Sequence, residues 1–381
     1  MNQKIARFLT EQRPATPCLV LDLDVVEKNY DALAQALPEA RIYYAVKANP
    51  APHILKLLNR LGSSFDCASV QEINMVLAAG ANPADISYGN TIKKQSDIAR
   101  AYRLGVRLYA FDSIGELDKI AAAAPGARVF CRILTSGEGA EWPLSLKFGC
   151  SPEMAKDLLL QAAGKGVVPF GVSFHVGSQQ RDPGQWHHAL ATTAQLFRDL
   201  EAEGVELKMV NLGGGFATRY RNDIPSTEAY GHAIFEALRT HFGNRIPETI
   251  VEPGRSMVGN AGVIETEVVL IAQKGGEDDR RWVYLDVGKF GGLAETMDEA
   301  IQYTIECVDA NNQGYTGKPE RVILAGPSCD SADVLYEKAD YRLPADLEIG
   351  DRLRILATGA YTTTYASIGF NGFPPLEEHY I

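Results

Sequence analysis

Eight short β-rich runs, separated by longer amphipathic or alanine-rich segments, constrain the fold more than any other feature of the sequence. Strands are predicted at 42–49, 63–69, 86–90, 107–113, 128–134, 171–178, 208–216 and 248–255. Helices are predicted between them at 51–61, 70–80, 93–104, 114–124, 151–165, 184–203 and 227–243. Eight strands that alternate with helices are typical of a (β/α)8 barrel of the TIM type. A doubly wound open sheet is the alternative, because both folds share this alternation.

The pattern changes after Arg255, where strands joined by turns replace the alternation with helices. The strand-like segments there are VIETEVVLIAQK, RWVYLDVGKF, RVILAGP and LEIGDRLRILATGAYT, and TPCLVLDLDVV near the N-terminus resembles them. We therefore predict a (β/α)8 barrel at 28–258. A second, mostly β domain is predicted from 1–27 together with 259–381.

The composition is typical of a soluble globular protein that binds neither nucleic acid nor an anionic membrane. The net charge is -11 at pH 7, whereas both of those partners require a basic patch. The six cysteines form no CxxC pair and lack a histidine at metal-ligand spacing, so neither a disulfide framework nor a metal site is predicted. The sequence shows no signal peptide and no apolar run of about 18 residues, which predicts a cytoplasmic protein.

Polar residues follow most of the predicted barrel strands, at the end where such barrels carry their active sites. In chain order they are Lys47, Asp66 with Ser69, Asn90, Asp112, Arg132, His175 with Ser178, the glycines 213–215, and Glu252 with Arg255. Lys47 lies in the otherwise apolar segment RIYYAVKANP. Its amine is either a strand-end group that reaches water or a desolvated nucleophile.

The segment NLGGGF predicts a phosphate-binding loop, because residues without a Cβ let backbone N–H groups approach an anion. A flexible turn is the alternative, but the loop follows the seventh strand, where barrels commonly bind phosphate. Arg255 after the eighth strand would supply a permanent positive charge. Together with Lys47 and Glu252 on strands that become neighbours in a closed barrel, this loop suggests pyridoxal 5'-phosphate (PLP).

Each polar group then has an expected place around the cofactor. Lys47 would bind the aldehyde, and Glu252 would keep the pyridine nitrogen protonated. His175 would stack on the ring or have a structural role. Asp66 would balance charge near the lysine or cap a helix.

Seven motifs, which span nearly the whole chain in order, resemble those of the fold type III PLP-dependent decarboxylases. That family includes ornithine, lysine, arginine and diaminopimelate decarboxylases. The motifs are YYAVKAN, FDCAS, HVGSQ, GGGF, EPGR, GPSCDSAD and GAYT. The resemblance implies an alanine-racemase-like fold, in which the barrel binds PLP.

The resemblance also implies roles for individual residues. The matches to catalytic residues are Lys47, His175, Cys329 and Asp330. The matches to cofactor-binding residues are Lys47, Asp66, His175, Ser178, Gly213, Gly214, Gly215, Glu252, Gly254, Arg255 and Tyr361. Of these, Ser178, the three glycines, Arg255 and Tyr361 are expected to hold the phosphate.

Enzymes of this family are head-to-tail homodimers, and the resemblance implies active sites shared between two chains. The loop that matches Cys329 and Asp330 enters the partner's site. There the cysteine helps to return a proton after carbon dioxide leaves, and the aspartate contacts the distal ammonium of a diamino acid. The β-rich domain would thus contribute to both the active site and the dimer interface.

The motif GPSCDSAD favours ornithine as the substrate, with lysine a close second, because Asp330 directly follows Cys329 as in the ornithine and lysine enzymes. Putrescine or cadaverine would be the product, as in polyamine biosynthesis. The second contact to the distal amine is predicted from Asp286, with Glu295 and Asp298 as further candidates, because Val287 replaces the aspartate of eukaryotic relatives. The alternatives are a diaminopimelate or arginine decarboxylase, a racemase and a non-catalytic regulatory homologue.

Overall fold

The structure, a computed structural model, describes residues 1–142, 147–275, 280–308, 315 and 317–381. The described chain divides into two compact units. The sheet unit consists of Met1–Val26, Thr218–Asp223 and Val258–Ile381, and the barrel unit consists of Glu27–Ala217 and Ile224–Met257. The predicted domain limits at 28 and 258 remain a prediction, because compactness alone does not show which segments fold independently.

The chain begins with helix α1 (Gln3–Gln12), strand β1 (Cys18–Leu21) and helix α2 (Leu23–Ala36). The prediction of a strand throughout TPCLVLDLDVV is wrong at its C-terminal end. Asp22 ends the strand, since its Oδ1 accepts a hydrogen bond from the Asp24 N–H at 3.0 Å and so caps α2. Helix α1 was not predicted, and Asn2 caps it by accepting from the Ile5 N–H at 2.8 Å.

The middle of the chain alternates strands and helices. The strands are β2 (Ala40–Ala45), β3 (Ser64–Cys67), β4 (Ile86–Tyr88), β5 (Leu108–Phe111), β6 (Arg128–Arg132), β7 (Ala140–Trp142), β8 (Val168–Ser173), β9 (Ser178–Gln180), β10 (Met209–Asn211) and β11 (Glu248–Val251). The helices are α3 (Pro52–Leu61), α4 (Val70–Ala78), α5 (Gln95–Arg103), α6 (Ile114–Ala123), α7 (Pro152–Gly164), α8 (Gln185–Ala202), α9 (Thr227–Phe242) and α10 (Arg255–Val258). No helix in the described ranges is both long and apolar enough to cross a bilayer.

Eight of the described strands form a closed parallel barrel in the order β2-β3-β4-β5-β6-β8-β10-β11. The barrel closes where β11 pairs with β2, with Val251 opposite Ile42. Each barrel strand lies within or overlaps a predicted strand, and the seven helices between them coincide with the predicted helices to within a few residues. The barrel prediction is therefore confirmed, and closure excludes the open sheet.

Apolar side chains fill the barrel interior. The buried cluster consists of Tyr43, Leu108, Ala110, Phe130, Met209 and Ile250, with Phe170 packed against it. At Gly171 of β8, a Cβ would lie 2.2 Å from the Met209 carbonyl oxygen, so the close approach of β10 requires glycine there. The interior is a packed core, which leaves the strand ends to carry function.

The first barrel strand ends four residues earlier than predicted, at Ala45 rather than at 49. The backbone then forms the 3-10 turn Val46–Ala48. Asn49 stabilises this departure, because its side chain accepts from the Ala51 N–H at 3.1 Å. Lys47 consequently lies on a turn beyond the strand and not within it.

The sheet unit is mostly β. Its C-terminal strands are β12 (Gly262–Gln273), β13 (Arg281–Leu285), β14 (Ile305–Val308), β15 (Pro319–Ala325), β16 (Val334–Pro344), β17 (Arg352–Leu356) and β18 (Glu377–Tyr380). They pair in the order β14-β17-β12-β13-β15-β16, and β1 joins β12 to β18. This arrangement confirms the predicted second, mostly β part of the fold.

A buried lysine links two neighbouring barrel strands near their carboxyl ends. The Lys93 Nζ donates to the carbonyl oxygens of Asn90 and Ala110 at 2.7 and 2.6 Å, and lies 3.0 Å from a Glu116 carboxylate oxygen. Glu116 is also paired with Lys119 at 2.5 Å. Burial lowers the pKa of Lys93 to about 8, although Glu116 opposes this shift.

We expect Lys93→Met to lower the free energy of unfolding by about 2–4 kcal/mol, because two buried carbonyl groups and a buried carboxylate lose a charged donor. Urea denaturation measures this loss. Lys94→Met is the matched control, since Lys94 is exposed beside Lys93. Equal midpoints for the two variants would contradict the assigned role of the buried lysine.

A comparison of the parent protein with the Lys93→Met variant also tests the lowered pKa of Lys93. The folded protein releases this proton near pH 8, whereas the unfolded chain holds it up to the ordinary value of 10.5. The unfolded state therefore binds more protons between these values, and stability rises with pH in this window. Relative to Lys93→Met, the parent protein should gain unfolding free energy between about pH 8 and 10. A constant difference would show that Lys93 keeps an ordinary pKa, and a shrinking difference would show that its pKa is raised.

Candidate active site

The first and last barrel strands bring Lys47 and Glu252 to the same end of the barrel. Lys47 lies in the turn Val46–Ala48 directly after β2, and Glu252 directly follows β11. These strands pair in parallel, and the N–H of Ala45, the last residue of β2, donates to the Pro253 carbonyl oxygen at 3.0 Å. The segments that carry the amine and the carboxylate are therefore neighbours at the carboxyl end, where barrels carry their active sites.

Asp66 places a second carboxyl group at this end of the barrel. Burial raises its pKa well above the ordinary value, and the negative charge of Glu252 adds to the effect. Lys47 and Arg132 act in the opposite direction. The Oδ1 atom of Asp66 is buried and has no hydrogen-bond partner among the residues that the structure describes. Such an atom indicates a site for a polar or cationic group.

The helix after β3 is capped by Ser69 and not by Asp66. Ser69 caps α4, because its Oγ accepts from the Glu72 N–H at 3.2 Å. Glu72 in turn accepts from the Ala68 N–H at 2.6 Å, and burial raises its pKa while Lys47 lowers it. The capping alternative for Asp66 is therefore wrong, and Ser69 has a structural role.

Arg132, at the end of β6, supplies positive charge among three carboxylates. Burial lowers the pKa of its guanidinium, and the charges of Glu252, Asp112 and Asp66 oppose this shift. Arg132 was recognised as a polar strand end in the sequence, but no role was predicted for it. Its surroundings suggest that it offsets the negative charge of the site.

His175 is held neutral and in a fixed orientation after β8. Burial keeps its pKa well below the ordinary value, and the charges of Arg132 and Lys47 lower it further. Its Nδ1 accepts from the Gly177 N–H at 2.9 Å, and its carbonyl oxygen accepts from the Thr135 hydroxyl at 2.6 Å. A neutral, oriented imidazole is suited to packing on a flat ring without adding charge.

The glycine loop after β10 admits no side chain at any of the positions Gly213, Gly214 and Gly215. Gly213 and Gly215 have φ values of +64° and +104°, in the left-handed region that favours glycine. A Cβ on Gly213 would lie 2.3 Å from the Phe174 carbonyl oxygen, and one on Gly214 would lie 2.7 Å from the Glu252 carbonyl oxygen. The loop therefore presents bare backbone, as a phosphate cradle requires.

Arg255 supports the same cradle from the next strand end. Its guanidinium is buried and donates from Nη2 to the Ser178 Oγ at 3.3 Å. Gly254 is also buried, and its carbonyl oxygen accepts from the Met257 N–H at 3.0 Å. A buried arginine beside a serine hydroxyl and bare backbone fits a phosphate group.

Asn211, which the sequence analysis did not identify, joins the carboxylate to the glycine loop. Its Nδ2 donates to the Glu252 Oε1 at 2.5 Å, and its Oδ1 accepts from the Gly213 N–H at 2.9 Å. The sequence does indicate that an amide side chain lies near the loop, because Asn211 is the first residue of NLGGGF and precedes its glycines. Asparagine at a strand end is commonly a turn residue, so this position alone does not indicate a role in the site.

The barrel unit thus offers the groups that PLP needs. There is an amine for the aldehyde, a carboxylate for the pyridine nitrogen, a neutral imidazole for the ring face, and an arginine with bare backbone for the phosphate. No cluster of three or more His, Cys, Asp or Glu side chains within the described ranges is arranged to hold a metal ion. The chemistry of the donor set fits the organic cofactor.

The remaining predicted residues lie in the sheet unit. Cys329 and Asp330 follow β15 and are exposed. The Cys329 N–H donates to the Asn371 Oδ1 at 2.9 Å, and the Asp330 Oδ1 accepts from the Ala332 N–H at 2.8 Å. These contacts define the shape of the Cys329–Asp330 loop. Tyr361 has a φ of +55°, an uncommon conformation for a residue with a side chain.

Asp286 is held by the ladder between β12 and β13. Its Oδ1 accepts from the Thr266 hydroxyl at 2.5 Å and from the Glu267 N–H at 3.0 Å. It also lines a cavity of about 270 Å³ to which Ser328, the residue before Cys329, contributes. Within the sheet unit, Asp286 therefore borders the same space as Ser328, which directly precedes the Cys329–Asp330 loop.

The two further candidates for the distal amine differ in exposure. Glu295 and Asp298 lie in the segment Ala294–Glu299, in which a kink at Met297 and Asp298 interrupts the 3-10 turns. Glu295 is buried, whereas Asp298 is exposed with a φ of +52°. Of the three candidates, Asp286 is the one that lines the cavity.

Comparison with known proteins identifies the family. Residues 23–259 match the family described as pyridoxal-dependent decarboxylase, pyridoxal binding domain. The chain is 36% identical to a lysine/ornithine decarboxylase of Selenomonas ruminantium, over 98% of this chain and 91% of that protein. It is 34% identical to an ornithine decarboxylase of Schizosaccharomyces pombe, over 97% of this chain and 85% of that protein.

A solved structure agrees with these matches. The Selenomonas ruminantium lysine decarboxylase in complex with PLP and cadaverine superposes with a TM-score of 0.88 and 34% identity, over 99% of this chain and 93% of that one. The chain therefore belongs to the fold type III PLP-dependent decarboxylases of basic amino acids.

Proposed function

We propose that this chain decarboxylates L-ornithine to putrescine and accepts L-lysine as a second substrate, giving cadaverine. The observation that carries the proposal is the pairing of β2 with β11, which makes the Lys47 and Glu252 segments neighbours. The relatives support a diamino acid substrate, since they are named as lysine/ornithine and ornithine decarboxylases. A structural neighbour was solved with cadaverine.

The barrel residues would bind and orient the reacting groups. PLP, when bound, supplies an electron-accepting ring that stabilises negative charge at the substrate's Cα. Lys47 would bind the aldehyde carbon and yield it to the substrate amine. Glu252 would hold the proton on the pyridine nitrogen, and neutral His175 would cover one ring face.

The charge on Asp66 would respond to the occupancy of the site. Burial and the negative charge of Glu252 raise its pKa and so favour the protonated form, whereas the positive charge of Lys47 favours the carboxylate. A protonated carboxyl donates a hydrogen bond that a carboxylate cannot. Asp66 would thus share a proton with a polar group that comes within reach of its buried Oδ1.

Substrate choice would depend on the sheet unit. Asp330 would pair with the distal ammonium, and Asp286 would provide the second contact through its Oδ2, because its Oδ1 accepts two hydrogen bonds. A desolvated ion pair discriminates strongly against substrates that lack the charge. Cys329 would return a proton to Cα after carbon dioxide leaves.

The test is to incubate PLP-loaded protein separately with ornithine, lysine, arginine and diaminopimelate, and to identify the amine and carbon dioxide formed. Putrescine should form fastest and cadaverine next. Agmatine as the main product would assign an arginine enzyme instead. Loss of optical rotation without carbon dioxide would assign a racemase, and absence of any turnover would favour a regulatory homologue.

Lys47→Ala should abolish both carbon dioxide release and the absorbance of lysine-bound PLP, because no other group replaces the amine at this position. Absorbance spectra and a carbon dioxide assay measure the two effects. Lys56→Ala is the matched control, since Lys56 is exposed on α3. Full activity of the Lys47 variant would exclude the proposed mechanism.

Asp330→Asn should raise KM for both ornithine and lysine by about 30-fold or more, because the substrate ammonium loses a desolvated counter-charge. Asp330→Glu should instead shift preference toward ornithine, since the longer acid favours the shorter substrate. Asp31→Asn on an exposed face of α2 is the control. Unchanged KM values in both Asp330 variants would remove this residue from the substrate site.

We also propose a homodimer whose active sites are shared, with Lys47 from one chain and Cys329 from the other. Two inactive variants, Lys47→Ala and Cys329→Ala, should then complement each other when mixed. Random exchange gives about half heterodimers with one intact site each, so about one quarter of the parent activity should return. No recovery, despite subunit exchange shown by mass spectrometry, would place both residues in one chain's site.

A further inference from the structure

Asn211 is a buried side chain that contacts two separate parts of the proposed cofactor site. It ends β10, is 1% exposed, and reaches Glu252 with one amide atom and Gly213 with the other. Under the proposed function, Glu252 serves the pyridine nitrogen and the glycine loop serves the phosphate. A single amide thus spans the two polar ends of the PLP site.

The hydrogen bond from the loop fixes which way the amide faces. Because the Gly213 N–H must meet an acceptor, Oδ1 of Asn211 faces the loop and Nδ2 faces Glu252. The Nδ2 group is a donor, so the Glu252 Oε1 accepts this hydrogen bond. The amide therefore selects one orientation of the Glu252 carboxyl group, with Oε1 facing Asn211.

The contact is not needed to hold the two strand ends together. The Glu252 N–H already donates to the Gly213 carbonyl oxygen at 2.8 Å. β10 and β11 also pair directly, with Asn211 opposite Ile250. What the Asn211 side chain adds is the orientation of the carboxylate and of the Gly213 N–H.

We propose that Asn211 is a positioning residue that orients Glu252 toward the pyridine nitrogen and couples it to the phosphate loop. The inference rests on the proposed placement of PLP between these groups. Since the Gly213 N–H donates to Asn211, the phosphate donors of the loop are the N–H groups of Gly214 and Gly215. Binding at one end of PLP would thereby pre-organise the other.

Asn211→Asp tests the positioning role without changing the packing of the side chain. Aspartate has nearly the same size as asparagine and keeps an oxygen that can accept from the Gly213 N–H. It replaces the donor with a second carboxylate oxygen beside Glu252. Two carboxylates this close must share a proton, so the local geometry becomes dependent on pH. We compare the PLP dissociation constant of this variant with that of the parent protein. The ratio of the two constants should increase about tenfold or more as the pH rises from about 6 to about 9.

Asn211→Ala removes both hydrogen bonds without adding charge. Its PLP affinity should fall about 10- to 100-fold at every pH, with no added pH dependence. Tryptophan fluorescence or equilibrium dialysis measures PLP affinity without relying on turnover. Asn59→Asp is the matched control, because its Nδ2 donates to the Ala79 carbonyl oxygen on the outer helices at 3.4 Å. Urea midpoints show whether each variant is folded.

The pH dependence decides the outcome. An Asn211→Asp variant that is folded and has the parent's PLP affinity throughout this pH range would overturn the inference, as would a loss that is independent of pH. Glu252→Gln tests the underlying placement separately. If Glu252→Gln leaves PLP affinity and the cofactor spectrum unchanged, the proposed function fails. If Glu252→Gln impairs both while Asn211→Asp does not, only the role of Asn211 fails.

Discussion

The pairing of β11 with β2 is the interaction on which the rest of the site depends. In an open sheet of the same eight strands, spaced about 4.8 Å apart, the first and last strands would be separated by roughly 34 Å. Closure places them side by side instead, with Val251 opposite Ile42. Lys47 and Glu252, which are far apart in sequence, become neighbours through backbone hydrogen bonds. The apolar residues that fill the barrel interior hold this arrangement in place.

Closure also concentrates charge, which the barrel unit balances. Asp66, Glu252 and Asp112 lie around Arg132, and Lys47 adds a second positive charge near Asp66. Burial raises the pKa of Asp66 and lowers the pKa of His175, so each group shifts toward its neutral form. Buried charges are tolerated only when they are paired with opposite charges. Because the charges of this site offset one another, its lysine and carboxyl groups can be buried away from water.

The sequence predicted the barrel well because alternation and turn residues are local signals. The ends of the strands were less predictable, since Lys47 continues an apolar run and only the hydrogen bonds of Asn49 show where β2 has ended. The end of β1 is likewise visible only from the hydrogen bond that the Asp22 side chain accepts from the Asp24 N–H. Asn211 shows a further limit, because its function depends on Glu252, a residue 41 positions away that becomes its neighbour only when the barrel closes.

The division of the chain separates the proposed chemistry from the proposed substrate selection. Residues expected to hold PLP lie mainly in the barrel unit, whereas Asp330 and Asp286 belong to the sheet unit. Relatives named for lysine or ornithine share most of this chain's length. Under the proposed function, the preferred substrate chain length could change through the sheet unit without disturbing the pairing of β2 with β11. Differences in specificity within the family should therefore be sought around the Cys329–Asp330 loop rather than among the residues that contact the cofactor.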